Sequence, residues 1–325
     1  MRKNQLKKLT AVFAAALLTV TTTTACSVLD QAPTANEESS NHQTADTTQT
    51  DTTQTDTTET TGSESAHQDS EAGNRLEEIK ARGYLEVATE PYFAPNEFID
   101  PSKSGDDKYV GADIELARYI ADQLGVECRI VPLDFTSVLT SITEGKYDLA
   151  ISALAYTPAR AESMIMSKGY YFDDNVVEYS MLVRNEDLES IKSADDLADK
   201  VVVVQSGSLQ EMFANEQVPA YKELKRVSAT TDGFLMVQEG KADACITEIT
   251  TAELYVKAND GCNMSIVPNF SFTVDENTQG TRIGIPKGET ALETEINKII
   301  DDVVEQGIYA KWYDEYKEYA SSLGL

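Results

Sequence analysis

Residues 144–160 read EGKYDLAISALAYTPAR, an order of residue types that implies a strand opening into a helix. Residues 147–152 form a short, mostly apolar run behind Gly145, the pattern of a buried strand. A loop of small residues is expected next. Thr157-Pro158 then has the composition of a helix start: a hydroxyl at the cap, and a proline at the first helical position, where its missing N–H costs nothing. Arg160 falls in the first turn of that helix, where a cation opposes the positive end of the dipole by roughly 0.3–1 kcal/mol. An arginine kept in that place suggests an anion to be held, and a carboxylate best matches its forked donors. The alternative is a surface arginine paired with Glu162 or another acid.

A second stretch repeats the first. EGKYDLAIS at 144–152 returns as EGKADACIT at 239–247, an offset of 95 residues. Each copy follows a helix-like segment, with apolar residues at Leu139 and Ile142 in one and at Phe234 and Val237 in the other, and each continues through a glycine C-cap into a strand. Two lobes of similar build, facing each other, account for the repeat.

The chain begins with material that cannot belong to such lobes. Residues 1–25 combine Arg2, Lys3, Lys7 and Lys8 with an apolar stretch too short for a stable membrane span, which needs about 20 residues, and so read as an export signal. Cys26 directly after a small residue resembles a bacterial lipoprotein cleavage site, at which it would become the lipid-modified first residue. Thr23 departs from that pattern, where an aliphatic residue is usual, and plain secretion is the alternative. Residues 26–74 contain DTTQT, DTTQT and DTTET in succession, ten acids and no lysine or arginine. So little apolar surface cannot offset chain entropy, so this segment reads as a disordered, self-repelling tether.

Composition narrows the function of the remainder. The whole chain carries a net charge of −28, and most of it remains on the folded part once the ten acids of the tether and the four basic residues of the leader are set aside, which argues against nucleic acid as a partner. Both histidines, His42 and His67, lie in the tether, so the folded part lacks the base of a Ser-His-Asp or Cys-His scheme and the commonest zinc ligand. Cys128 and Cys245 sit in strand-like runs and Cys262 in a polar loop. A Cys245–Cys262 disulfide and buried free thiols are both compatible with this placement.

From Arg75 the pattern alternates. A short helix around Leu76 and Ile79 stops at Gly83, and 84–89 is a strand. Residues 90–106, rich in proline and polar residues, read as a loop. Ile114, Ala117, Ile120, Ala121 and Leu124 form a helical stripe, 127–133 a strand, 136–143 a helix and 147–152 the next strand. Such alternation indicates an α/β domain with a largely parallel sheet, whose ligands bind beyond the carboxyl ends of the strands. Those ends are Thr89-Glu90, Asp134-Phe135, Ser152-Ala153 and Gln205-Ser206-Gly207. At the last, Ser208 to Glu211 reads as a capping box, leaving the N–H groups of Ser208 and Leu209 for an anion that Arg160 could share from the other lobe.

Taken in order, LEVATEPYFAPNEF, YVGADIELARYIADQLG, DFTSVLTSITEGKYDLAISALAYTPAR, VVVVQSGSLQE, EGKADACITE and GIPKGETALETEINKIIDDVVEQGIYAKWYDEY resemble one family, the polar amino-acid-binding proteins of bacterial ABC importers (family 3 extracellular solute-binding proteins). The resemblance covers 75–319. It implies a two-lobed periplasmic-binding-protein fold of type II, each lobe a mixed, mostly parallel sheet flanked by helices and joined by two hinge-strand crossings near 176–180 and 277–282. Residues 75–176 with 280–325 would form lobe 1 and 177–279 lobe 2, with the C-terminal helices from Ala291 packed on lobe 1. It further implies that Arg160 grips a ligand α-carboxylate, helped by backbone groups at Ala155 and Leu209. Glu248 would take the α-ammonium, and Phe93 and Phe135 would sandwich the side chain. Ser152 and Ala153 would line the cleft, and Glu90, Gln205 and Ser208 would add contacts. Core aromatics and a solvated acid are the plainer readings of Phe93, Phe135 and Glu248. Ala155 replaces a hydroxyl common in the family, and Glu248 is one methylene longer than the usual aspartate.

The expectation is therefore an extracytoplasmic, lipid-anchored, monomeric receptor that hands an amino acid to an ABC permease and its ATPase, with no cofactor, metal or catalysis. An enzyme on the same fold, such as a cyclohexadienyl dehydratase using Glu248 or Glu90 as general acid, is the rival, and a sensor or adhesin a third.

Overall fold

The computed structural model describes residues 74–172 and 178–324. The expected leader (1–25), Cys26, nearly all of the tether and Val176 of the first expected crossing lie outside the described residues.

Helix α1 (Arg75–Arg82) stops at Gly83, whose φ of 80° turns the chain into β1 (Tyr84–Thr89). The segment expected as a loop instead carries β2 (Tyr92–Phe93) and β3 (Glu97–Ile99), which pair with each other and with β4 (Tyr109–Val110) in a small antiparallel sheet. Strands of two or three residues are too short to show alternation, hence the loop-like reading. Then come α2 (Ala112–Leu124), β5 (Glu127–Pro132), α3 (Phe135–Thr143), β6 (Leu149–Ala155), α4 (Pro158–Ser163) and β7 (Ile165–Tyr171). Beyond the first crossing follow β8 (Tyr179–Arg184), β9 (Val201–Gln205), α5 (Leu209–Glu216), β10 (Glu223–Val227), α6 (Thr230–Gln238), β11 (Ala244–Glu248), α7 (Ile249–Ala258) and β12 (Met264–Ile266). The chain closes with β13 (Thr281–Ile285), α8 (Thr290–Glu305) and α9 (Ile308–Leu323).

Two five-stranded sheets result, ordered β5-β1-β6-β13-β7 and β10-β9-β11-β8-β12. In each, three strands run parallel with the first of them in the middle, and the next strand is antiparallel. That antiparallel strand, β8 or β13, is the one that arrives from the other lobe. The expected loop after Ser152 is therefore wrong by three residues: Leu154 and Ala155 pair with Arg282 and Thr281 of β13, a partner some 130 residues away that local sequence cannot reveal.

The 95-residue repeat has a structural cause. In both copies a glycine after the helix, Gly145 at φ 66° or Gly240 at φ 71°, lets the chain reverse in a conformation that side chains with a Cβ disfavour. The aspartate that follows, Asp148 or Asp243, accepts a backbone N–H from the neighbouring strand: Glu86 at 2.8 Å or Val201 at 2.7 Å. An arginine from elsewhere in the same lobe then clamps the reversal. Arg75 donates to Gly145 O and Asp148 Oδ1, and Arg184 donates to Ala242 O and Asp243 Oδ1. Identical local chemistry thus sets the register of β6 against β1 and of β11 against β9.

Burial follows from the strand sequences. On one side of the first sheet, Leu85 and Val87 meet Leu116 and Ile120 of α2, Ile296 and Ile300 of α8 and Tyr309 of α9. On the other, Ala88 and Ala150 meet Val138 and Ile142 of α3. In the second sheet the run Val202, Val203, Val204 is buried on both faces, between Phe213 of α5 and Phe234 of α6. Cys245 and Cys262 lie in the same cluster as Phe234 and are free thiols, as is Cys128. The C-terminal helices pack on the first sheet as expected, with one addition. The last turns of α9 also meet the second lobe: Ala320 shares a cluster with Leu254 of α7, Phe98 and Val110, and Lys257 Nζ donates to Ser321 Oγ.

Candidate functional site

Between the lobes lies a cleft enclosing about 970 Å³ of open space counted out to its mouth. All eleven residues expected from the sequence line it: Glu90, Phe93, Phe135, Ser152, Ala153, Ala155, Arg160, Gln205, Ser208, Leu209 and Glu248. They come from strand ends and the helix starts that follow them, where orphan backbone groups and caps converge.

Arg160 anchors one end. Thr157 caps α4 by accepting the Arg160 N–H at 3.2 Å, and Pro158 occupies the first helical position. The guanidinium, 7% exposed, donates from Nη1 to Ala155 O (2.8 Å) and from Nη2 across the cleft to Gly207 O (3.1 Å). The Phe135 ring centroid lies 5.5 Å from its Cζ, so this aromatic supports the arginine itself. Among the described residues Arg160 forms no ion pair, which excludes the expected alternative of a surface arginine tied to Glu162. Burial lowers its pKa to about 10, so the charge persists at neutral pH without an acid beside it. Facing it is the start of α5, where Ser208 Oγ caps the helix by accepting the Glu211 N–H. The expected capping box closes differently: Glu211 Oε2 accepts from Gly207 N–H at 2.7 Å, and the Ser208 N–H turns back to Gln205 O at 3.4 Å. Gly207, at φ 73°, takes the tight turn that puts its N–H there.

Glu248 ends β11 and caps α7. Its Oε2 accepts from Thr251 Oγ1 (2.6 Å) and Thr251 N–H (3.2 Å), while burial pushes its pKa up. Thr251 Oγ1 also contacts Ala94 O of the first lobe at 3.2 Å, so the partner of this acid bridges the two lobes. Burial raises the hydroxyl pKa of Tyr179, which pairs with Glu248 in the β8–β11 register; that carboxylate adds to the rise and Arg160 opposes it.

A third group was not expected. Glu97, from the short β3, lines the cavity beside Glu90, and Asp113 lies directly behind it at the start of α2. Ser152 Oγ accepts the Glu90 N–H (3.0 Å) and donates to Glu97 Oε1 (2.8 Å). Asp113 accepts from Tyr309 Oη (2.6 Å), Tyr170 Oη (2.9 Å) and the Ala153 N–H (2.7 Å). The last bond holds Ala153 at φ 46°, a left-handed conformation that a residue with a Cβ adopts only under constraint. Burial raises Glu97 and Asp113 alike, and the bond between their carboxyls requires a shared proton. The donors converging on Asp113 keep that one ionised and leave the proton on Glu97. Glu90, 1% exposed, is pushed up to about 8 by burial, against the lowering effect of a bond from Gln205. Its Oε1 is buried without a partner.

Asp113 had a readable signal, since it falls on the apolar stripe of α2 with Ala117 and Ile120, where an acid is out of place. Glu97 had none within a presumed loop. Tyr171, Phe172, Tyr179 and the returning segment Thr278 to Thr281 also line the cavity, brought there by the crossings. Among the described lining residues Arg160 is the one base, against three acids.

The family description of bacterial extracellular solute-binding proteins, family 3, matches residues 85–319. The arginine-binding extracellular protein ArtP of Bacillus subtilis is 29% identical over 257 residues, covering 77% of this chain and 90% of ArtP. Among solved structures, the amino acid ABC transporter substrate-binding protein AbpA of Streptococcus pneumoniae bound to L-arginine is 31% identical with a TM-score of 0.66, covering 75% of this chain and 98% of AbpA. The ancestral amino acid-binding protein AncCDT-1, a precursor of cyclohexadienyl dehydratase, is 28% identical with a TM-score of 0.64, covering 74% of this chain and 99% of its own.

Proposed function

The chain belongs to the family 3 bacterial extracellular solute-binding proteins, with their two-lobed type II fold, and from that premise we propose that it captures a basic amino acid, arginine foremost, for an ABC importer. The observation that carries this reading is the pairing of a buried, acid-free Arg160 with a buried Glu90 carboxyl oxygen that has no partner. An α-carboxylate answers Arg160, an α-ammonium answers Glu248, and a cationic side chain lying past Phe93 and Phe135 answers Glu90. Each buried charge then has an opposite charge, the condition under which burying it is tolerable. Relatives named for arginine, or solved with it, support the same choice.

Ala155 offers backbone only: its carbonyl accepts from Arg160 and orients the guanidinium, so the missing hydroxyl removes one ligand contact and leaves the clamp. The division into lobe 1 (75–176 with 280–325) and lobe 2 (177–279) is supported by the grouping of the strands into two sheets, one holding β1, β5, β6, β7 and β13 and the other β8 to β12. The contacts Arg160 to Gly207, Thr136 to Ser206 and Thr251 to Ala94 would then join lobes closed on a ligand. Outside the described residues, lipidation at Cys26 with the acidic tether would hold a monomeric receptor near the membrane. There it would meet a permease driven by its ATPase.

Against a dehydratase with Glu248 as its acid stands the geometry of that carboxylate, whose Oε2 is taken up by the Thr251 hydroxyl and N–H. Titration calorimetry with L-arginine, L-lysine, L-glutamine and L-glutamate tests the proposal. Tight binding of the basic pair is expected. Preference for glutamate would overturn it, and turnover of prephenate would replace it with the enzyme.

A further inference from the structure

We infer that Glu90 is protonated in the empty cleft and surrenders that proton to solvent when the ligand's side-chain cation arrives, so that the site trades one proton for one cation and its preference for cationic over neutral side chains grows as the pH rises. The inference rests on the basic amino-acid reading and deepens it.

The geometry requires such an exchange. Glu90 follows β1 directly and lines the cavity, and the titratable groups that bear on it are all acids: Glu97 from β3, which holds its proton, Asp134 at the cap of α3 and Asp232 in the first turn of α6. Arg160 and Glu248 bear instead on Tyr179, so the pocket is polarised, with its one base and the ammonium acid together and the remaining acids apart. Asp113, behind Glu97, is already charged and served by its tyrosines. A second carboxylate at Glu90, buried and with one oxygen lacking any donor, would stand unpaired in a low dielectric. The neutral acid avoids that cost. Its hydrogen-bond inventory fits: Gln205 donates to one oxygen while Oε1 can carry the proton into the cavity. Among the described residues no set of three or more ligating side chains is arranged for a metal ion, so a metal is not the cation that Glu90 awaits.

A guanidinium or ammonium placed at Oε1 reverses the balance. The O–H bond of Glu90 breaks, its electron pair stays on the carboxylate, and the proton passes through the open mouth to water or buffer. Bound proton and bound cation are then mutually exclusive, and affinity for the cation rises as solvent protons fall. With the empty-site Glu90 at about 8, arginine affinity rises roughly fiftyfold between pH 6 and pH 8. Citrulline, which replaces the guanidinium by a neutral urea, does not expel the proton, and its affinity stays flat over the same interval.

The test is titration calorimetry of the full chain with L-arginine and with L-citrulline at pH 6, 7 and 8, each in phosphate and in Tris, whose different ionisation heats count protons released. Close to one proton per arginine at pH 7 and almost none per citrulline is the expected result. Arginine binding with pH-independent affinity and equal heats in both buffers overturns the exchange and leaves the basic amino-acid reading intact. Failure of arginine, lysine and histidine all to bind overturns that reading, and the exchange with it. Glu90→Gln separates Glu90 from the Glu97–Asp113 pair. Loss of proton release in that variant, and its return in Glu90→Asp, supports Glu90, whereas undiminished release from Glu90→Gln places the proton elsewhere and overturns the assignment. A melting curve establishes that each variant is folded.

Discussion

Replacing Arg160 by methionine should separate binding from folding. The side chain keeps most of its length and loses its charge. In the ligand-free protein, burial lowers the arginine pKa from 12.5 to about 10, which at about 1.4 kcal/mol per unit corresponds to a cost on the order of 3 kcal/mol. Two hydrogen bonds offset it. The bond to Ala155 O is buried, and a charge-assisted bond of that kind contributes roughly 1.5–3 kcal/mol. Gly207 is exposed, so its carbonyl recovers water when the guanidinium leaves. Cost and gain therefore nearly cancel in the empty protein, and Arg160→Met should change its stability by less than about 1 kcal/mol. For a folded part of this size that means a Tm shift within roughly 2–4 °C.

Binding responds differently, because the ligand carboxylate loses the one base that faces it. Removing one partner of a buried charge pair costs 2–5 kcal/mol or more, so affinity for arginine should fall at least roughly thirtyfold. Scanning calorimetry of protein freed of ligand by unfolding and refolding gives the first quantity, and titration calorimetry the second. A Tm loss of 10 °C or more in the empty variant would show that Arg160 is a folding element whose charge is not held in reserve. Retention of affinity within about threefold would refute the carboxylate role outright.

Other substitutions test the supporting structure. Asp113→Asn should destabilise the protein by roughly 1–3 kcal/mol, because an amide cannot accept from Tyr309, Tyr170 and the Ala153 N–H together; it should also weaken ligand binding by releasing Ala153 from its left-handed turn, and unchanged affinity would exclude that role. Asp148→Ala, which strands Arg75, Arg82 and the Glu86 N–H, should cost about 3 kcal/mol or more, while Asp243→Ala, at a half-exposed position, should cost about 1 kcal/mol; equal losses in urea titrations would contradict the burial argument. Leu254→Ala should remove about 2 kcal/mol of apolar contact that joins α7 to Phe98 and Ala320 and thereby weaken arginine binding several-fold through the closed state alone; unaltered affinity would mean that this contact survives in the open form.

Legibility in the sequence followed the range of the interactions involved. The alternation of strands and helices, the glycine reversals and the cap at Thr157 are written within ten residues of one another, and they appear where local chemistry puts them. Part of the cavity lining was legible for the same reason, since Glu90, Phe135, Ser152, Ala153 and Gln205 follow or end the strands expected from the sequence, whereas Phe93, Ala155 and Glu248 were placed by the family resemblance. What escaped depends on distant partners. The continuation of β6 through Ala155 needs β13, and β2 and β3 exist only as a sheet with β4. Glu97 therefore hid in an apparent loop, and with it the acid pair that sets the charge of the cavity floor. Asp113 shows the intermediate case: its place on an apolar stripe marks it as buried, but its partners, Tyr170 and Tyr309, lie 57 and 196 residues away.

The repeat explains why one cleft can hold opposite charges. Each copy is a reversal clamped by its own arginine, Arg75 or Arg184, and each fixes the strand that leaves it to within a residue. The offset of 95 sets Ala153 opposite Glu248, the points at which the two strands deliver their chains to the cavity. What differs is only what is delivered. In the first lobe the chain is twisted by Asp113, continues to the hinge and brings Arg160 in from the next helix start. In the second it stops at once, and the acid that lines the cavity is also the cap of α7. A common module thus fixes position while the residues after it are free to differ in charge, which is how a cavity lined by Arg160 from one half and Glu248 from the other can be built from two halves that share a local fold.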